Sequence, residues 1–218
     1  MFDINPFTKA LDSKLRSAYI EELSFLMLKH ILPDFSSNFV LRDKPDLQAK
    51  EQSLGIEITE AVSPEVAQIN GEYAKLRFGK NTEDEKSKCK RLIEKNGGSI
   101  DSFGLSYPMV NSNTEWNIFL NAMLKKIKLL PKYKEEGFTK MGLFIFFDEP
   151  PIPFNLNVSM EQFAEIQKDS MFKYDFLFFG YRNGVISYNF YDNSYNVYTI
   201  DKDKFNDMSK CARRKVEG

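Results

Sequence analysis

Lys44-Pro45-Asp46-Leu47, followed by Gly55-Ile56-Glu57-Ile58-Thr59, is the stretch on which the fold turns. In the second segment apolar and polar residues alternate, and a strand points successive side chains to opposite faces. Glu57 and Thr59 therefore share one face, and Ile56 and Ile58 the other. Upstream, Asn38-Phe39-Val40-Leu41 reads as a short strand leading into Pro45-Asp46, and residues 54–62 read as a second strand after a polar connection. Pairing of these two strands brings Asp46 beside Glu57.

Working outward, the apolar residues Tyr19, Ile20, Leu23, Leu26, Met27 and Ile31 recur at three- and four-residue spacing and predict an amphipathic helix over 13–32, terminated by Pro33. Ser63-Pro64-Glu65 has the form of a helix start, with serine as N-cap and proline in the first turn. A charged helical region then runs to about Lys95, where Asn96-Gly97-Gly98 stops it, and a loop or short strand reaches Pro108. Trp116, Leu120, Met123, Ile127 and Leu130 mark a buried stripe on a helix over 114–130, which Pro131 ends or disturbs. The apolar run 141–147 suits a central strand covered on both faces. Ser159 and Gln162 fit a capping box before a short helix reaching about Lys168. Residues 174–181 form another apolar strand, and 185–191 with 195–200 form a tyrosine-rich hairpin. The order predicts an α/β fold, a mixed central β-sheet flanked by helices with a C-terminal β-hairpin, in a single domain over residues 1–218.

A chain of 218 residues with 42% hydrophobic content can build a sizeable core. It has no apolar run of the roughly 18 residues needed to span a bilayer, and Met1-Phe2-Asp3-Ile4-Asn5-Pro6 lacks the pattern of a signal peptide. A cytosolic protein without membrane association is expected. Cys89 and Cys211 are far apart and show no metal-ligand spacing, so two reduced thiols are expected. His30, the single histidine, lies near the apolar stripe of the first helix and reads as a core or partly buried residue. Thirty basic residues balance thirty-one acidic ones, giving a formal charge of −1. Any nucleic-acid surface must therefore be local. The candidates are 86–95, 125–134 and the tail with Lys210, Arg213, Arg214 and Lys215, although charge runs are ordinarily solvated faces.

The Pro45-Asp46 turn and the Glu57-Ile58-Thr59 strand resemble the PD-(D/E)XK nuclease superfamily, whose core is restriction-endonuclease-like. The resemblance covers the Pro-Asp and the glutamate and departs at the third position, where Thr59 stands in place of the lysine. It implies a metal-dependent nuclease acting on DNA, in a defence or mobile-element setting. Mg²⁺ or Mn²⁺ would be held by Asp46, Glu57 and the backbone carbonyl of Ile58, a hard-oxygen set that suits magnesium. The first helix of such nucleases often adds an acidic residue. Here Glu22 falls about 100° from Leu23, at the edge of the stripe, and is favoured over Glu21 on the opposite side. Catalysis would then fall to Asp46, Glu57 and Thr59. A lysine displaced from the Thr59 position is sought on another element, where Lys126, about 60° from Met123, is better placed than Lys125 or Lys128. Gln48 and Thr59 could orient a metal-bound water, and Asp148-Glu149 is a rival carboxylate pair beside the Pro150-Pro151 turn. Two other readings stand beside this one. The first is a catalytically inactive protein of the same fold that binds nucleic acid or a protein. The second is an interaction module whose hairpin, Tyr188 to Tyr198, pairs with a protein partner or forms a homodimer.

Overall fold

The computed structural model describes residues 11–101, 104–107, 112–147 and 156–218. In chain order the elements are α1 (Arg16–Ile31), α2 (Pro33–Ser36), β1 (Phe39–Leu41), β2 (Leu47–Ala49), β3 (Leu54–Glu60), α3 (Pro64–Phe78), α4 (Glu83–Lys95), β4 (Ser99–Asp101), β5 (Gly104–Ser106), α5 (Ser112–Ile127), α6 (Leu130–Glu135), β6 (Lys140–Phe146), α7 (Leu156–Ile166), β7 (Phe176–Tyr181), β8 (Gly184–Asn189), β9 (Ser194–Thr199) and α8 (Lys202–Glu217). They fall into two compact units. Ser17–Ala61 with Ser112–Gly218 make one, and Val62–Asn111 with the segment up to Arg16 make the other.

The larger unit is an α/β fold built on a seven-stranded mixed sheet of order β1-β2-β3-β6-β7-β8-β9. Its centre is parallel, β3 beside β6 and β6 beside β7, while the outer pairs are antiparallel and β8–β9 form the expected C-terminal hairpin. Six consecutive residues of β6, Met141 to Phe146, are buried, as a central strand covered on both faces requires. On one face Met141, Leu143, Ile145, Leu177 and Phe179 pack with Phe119, Ala122 and Met123 of α5, Leu130 and Tyr133 of α6 and Phe163 of α7. In-register pairing of Glu57 with Leu143 and Thr59 with Ile145 puts both polar residues of β3 on this same face. Ile56 and Ile58, level with Gly142 and Phe144, face the other way.

In the smaller unit α3 and α4 are followed by the β4–β5 hairpin. Ser63 caps α3 by accepting from the Val66 N–H, as its sequence predicts, and Thr82 with Glu85 forms a capping box on α4.

Several expectations are corrected. The 38–41 strand does not pair with β3, because Leu47–Ala49 forms an intervening strand that pairs with both. The charged stretch after Ser63 is two helices, parted at Gly79. Pro131 opens α6, where its missing N–H costs nothing in the first turn. Ser159 lies inside α7, not before its start. The basic tail is a 16-residue helix, α8, with Asp201 as its N-cap and Phe205, Met208, Ser209 and Ala212 buried. His30 is exposed, in the last turn of α1. Asp148-Glu149 lies outside the described residues.

Candidate functional site

The site is assembled where the β1–β2 turn meets β3 and the α5–α6 pair. Asp46 opens β2. Its main-chain carbonyl accepts from the Arg42 N–H at 2.9 Å, and its Oδ2 accepts from the Ile58 N–H at 2.6 Å. The turn before it is held from within. The Gln48 side-chain amide donates to the carbonyls of Asp43, Lys44 and Pro45 at 3.5, 3.2 and 3.2 Å, and stabilises a Lys44 backbone at φ 59° that non-glycine residues seldom adopt. The Pro45 ring packs on β3 at Gly55. A Cβ there would lie 2.5 Å from Pro45 Cγ, 3.0 Å from Met141 Sδ and 3.1 Å from Phe138 Cδ1. Glycine at position 55 thus sets how closely the Asp46 turn approaches β3.

Glu57 is 4% exposed, and both of its oxygens are engaged. Lys126 of α5 places its ammonium on Oε1, and the Tyr133 hydroxyl of α6 donates to Oε2 at 2.6 Å. The Tyr174 hydroxyl donates to the Lys126 carbonyl at 3.1 Å, and Tyr174 is itself fixed by the Gln167 amide, which accepts from its N–H at 2.9 Å. A buried carboxylate is tolerated only when paired and hydrogen-bonded, and α5 and α6 supply both kinds of partner.

The electrostatics follow from burial and from the crowding of carboxylates. Burial first, and then the negative charge of Glu57, push the Asp46 carboxyl up to about 7; the Ile58 N–H opposes the rise, Glu21 adds to it, and Lys126 opposes it. Burial and the hydrogen bond to Glu57 raise the Tyr133 hydroxyl well above its ordinary value. Burial and the charge of Glu57 do the same for Tyr174.

Asp46, Glu57, the Ile58 main chain and Lys126 are thus brought together. Thr59 lies on the same face as Glu57, one turn of the pleat along, and is half-buried. Glu22 is elsewhere engaged: it is buried and accepts from Lys215 of α8 at 2.7 Å. On α1 it is Glu21 whose charge reaches Asp46, and Glu21 also accepts from Ser17 Oγ at 2.9 Å. Sequence reasoning missed Tyr133 and passed over Glu21 in favour of Glu22. The signal for Tyr133 was a lone aromatic residue in the basic segment that Pro131 opens.

As a cation site, the arrangement offers the Asp46 carboxylate, whose Oδ1 has no hydrogen-bond donor among the described residues, together with Glu57. The Ile58 carbonyl leaves the strand on the same side as the N–H that meets Asp46. No group of three or more His, Cys, Asp or Glu side chains that could hold a metal ion occurs among the described residues. Nor is any helix among them long and apolar enough to cross a membrane. Comparison with protein-family models, with curated proteins and with solved structures gives no match.

Proposed function

We propose that the protein is a metal-dependent nuclease that hydrolyses DNA phosphodiester bonds through a PD-(D/E)XK-like site in which Lys126, reaching in from α5, takes the part left open by Thr59. One observation carries the reading: the ammonium of Lys126 lies on Glu57, while Asp46 is docked on the next residue of the same strand through the Ile58 N–H. A lysine lost from one position and found at the same carboxylate from another element is what a displaced motif lysine requires.

The residues fit a divalent cation. Their donors are hard oxygens, and one or two carboxylates suffice for magnesium, which keeps waters and substrate phosphate as its other ligands. The upward push on Asp46 comes from burial first and then from the negative charge of Glu57, and a cation beside the two carboxylates would oppose both. Asp46, Glu57 and the Ile58 carbonyl would hold Mg²⁺ or Mn²⁺, which lowers the pKa of bound water and offsets phosphate charge. Tyr133 keeps Glu57 oriented. Lys126 supplies positive charge to the phosphate as its negative charge grows, an electrostatic role whose removal typically costs about 10²–10³ in rate. Thr59 offers a hydroxyl that can orient the attacking water. DNA as substrate is supported by Lys125, Lys128 and Lys132, exposed along the segment that carries Lys126 and Tyr133.

One observation favours the second reading, a catalytically inactive protein of this fold that binds nucleic acid or a protein partner: both Glu57 oxygens are already taken. Incubation with linear, supercoiled and single-stranded DNA in Mg²⁺, Mn²⁺ or EDTA separates the two. Cleavage that needs the metal and is lost in Asp46→Asn and Glu57→Gln supports the nuclease; DNA binding without cleavage in any metal supports the inactive form.

A further inference from the structure

The two donors on Glu57 differ in how easily they can leave. Tyr133 is 2% exposed and its ring is part of the core formed with Met123, Leu143 and Phe138, so its hydroxyl has nowhere to go without unpacking α6. The side chain of Lys126 is 22% exposed and ends in an ammonium on a flexible four-carbon stem, so one rotamer change moves its charge out of the pair. Any divalent ion shared between Asp46 and Glu57 needs an oxygen of Glu57, and Oε1 is the one whose partner can yield.

We propose that Lys126 is an internal counterion that occupies the cation position at Glu57 in the resting protein, and that a divalent ion enters by displacing it from Oε1 while Tyr133 keeps Oε2 in place. This rests on the nuclease reading and specifies how its site is loaded. The charges fit the exchange. Glu57 and Glu21 both act on Asp46 and Lys126 opposes them, so departure of its ammonium leaves the carboxylates short of positive charge. Loading then does two things at once: the carboxylates gain the ion, and the released ammonium is left at the cleft beside it, available to a phosphate. The exchange also weakens the ion's apparent affinity. A lysine-paired state occupied nine times in ten costs about tenfold, because only the remaining fraction is competent to bind.

The test is titration calorimetry of the full-length protein with MnCl₂ alone, on wild type, Lys126→Met, Lys126→Gln and Tyr133→Phe, with Mn²⁺-dependent DNA cleavage measured alongside. Both lysine variants are expected to bind Mn²⁺ about tenfold more tightly than wild type while cleaving about 100-fold more slowly or worse. The glutamine variant keeps an N–H donor for Glu57 and serves if the methionine variant fails to fold. Tyr133→Phe is expected to bind Mn²⁺ more weakly than wild type. Wild-type or weaker affinity in both lysine variants, in a protein that does bind Mn²⁺ and cleave DNA, overturns the counterion role and leaves the nuclease reading standing. Unchanged affinity in Tyr133→Phe overturns the part given to Tyr133. Absence of both Mn²⁺ binding and cleavage in wild type and variants overturns the inference and the nuclease reading together.

Discussion

Asp46 concentrates the electrostatic cost of the site in one residue. Its carboxyl is pushed up to about 7, from an ordinary value of about 3.9, so between those values the folded protein holds a proton that the unfolded chain has released. Stability therefore falls as pH rises through this window, and the full penalty is present above it. Asp46→Asn keeps an acceptor for the Ile58 N–H and lacks the charge. In EDTA at pH 8 it should be more stable than wild type by on the order of 1–3 kcal/mol, and near pH 4 the two should match. Equal melting temperatures at pH 8 would contradict this origin of the shift. Tyr133→Phe has the opposite sign, because it strips a buried carboxylate oxygen of its donor. A loss of about 1–3 kcal/mol is expected, read by urea unfolding. Gly55→Ala forces Pro45 away from β3, and the misplaced Asp46 turn should appear as weakened Mn²⁺ binding in calorimetry.

At the scale of elements, what was legible in the sequence was what periodicity or a cap marks. The alternation of 56–59 gave β3 and the shared face of Glu57 and Thr59, the apolar run gave β6, and the stripe through Met123 put Lys126 at the edge of the buried side of α5. Leu47–Ala49 was missed because three residues with a central glutamine carry almost no strand signal; burial of Leu47 and Gln48 between β1 and β3 makes the strand. Missing α8 had a further consequence. Its charge obscured a readable stripe, Phe205, Met208 and Ala212, and without α8 no partner for Glu22 was in view. Burial and the Lys215 ion pair draw Glu22 into the α1–α8 contact, where Tyr19 and Ser209 hydroxyls also meet at 2.6 Å. Lys215→Met should uncover this. It leaves a buried carboxylate without its cation, and since Lys215 is itself 60% exposed in its side chain, the cost is about 1–2 kcal/mol. A melting temperature lowered by roughly 2–8 °C is expected, and an unchanged one would show that the pair contributes nothing.

For the whole molecule, burial is concentrated in the mixed sheet. β3, β6 and β7 are flanked by paired strands on both sides, and β6 is almost wholly covered, whereas β9 is an edge strand exposed along most of its length. Hydrogen exchange should therefore be slowest in β3, β6 and β7 and much faster in β9. Among described residues the Val62–Asn111 unit buries few apolar side chains, chiefly Ile69, Cys89 and Ile93, and should open at lower free energy than the sheet. Equal protection in both units would contradict that ordering. The sequence placed no boundary around this unit, because Ser63-Pro64 marks a helix start and the charged helical stretch after it reads equally well as a solvated face of the same domain. The juxtaposition of Asp46, Glu57 and Lys126 was legible. Tyr133 was not, and Glu21 was set aside for Glu22, since both placements depend on which helix edges the folded chain turns toward Asp46 and Glu57.

The most direct measurement is Mn²⁺-dependent cleavage of supercoiled plasmid by wild type, Asp46→Asn, Lys126→Met and the double variant Lys126→Met/Thr59→Lys, each confirmed as folded. Wild type should cleave in Mn²⁺ and not in EDTA. Asp46→Asn and Lys126→Met should each lose about 100-fold or more, and lysine at position 59 should restore part of what Lys126→Met lost, because position 59 shares the sheet face of Glu57. Cleavage that survives Asp46→Asn at the wild-type rate, or no cleavage by the wild-type protein in any divalent metal, would contradict a nuclease site at Asp46, Glu57 and Lys126.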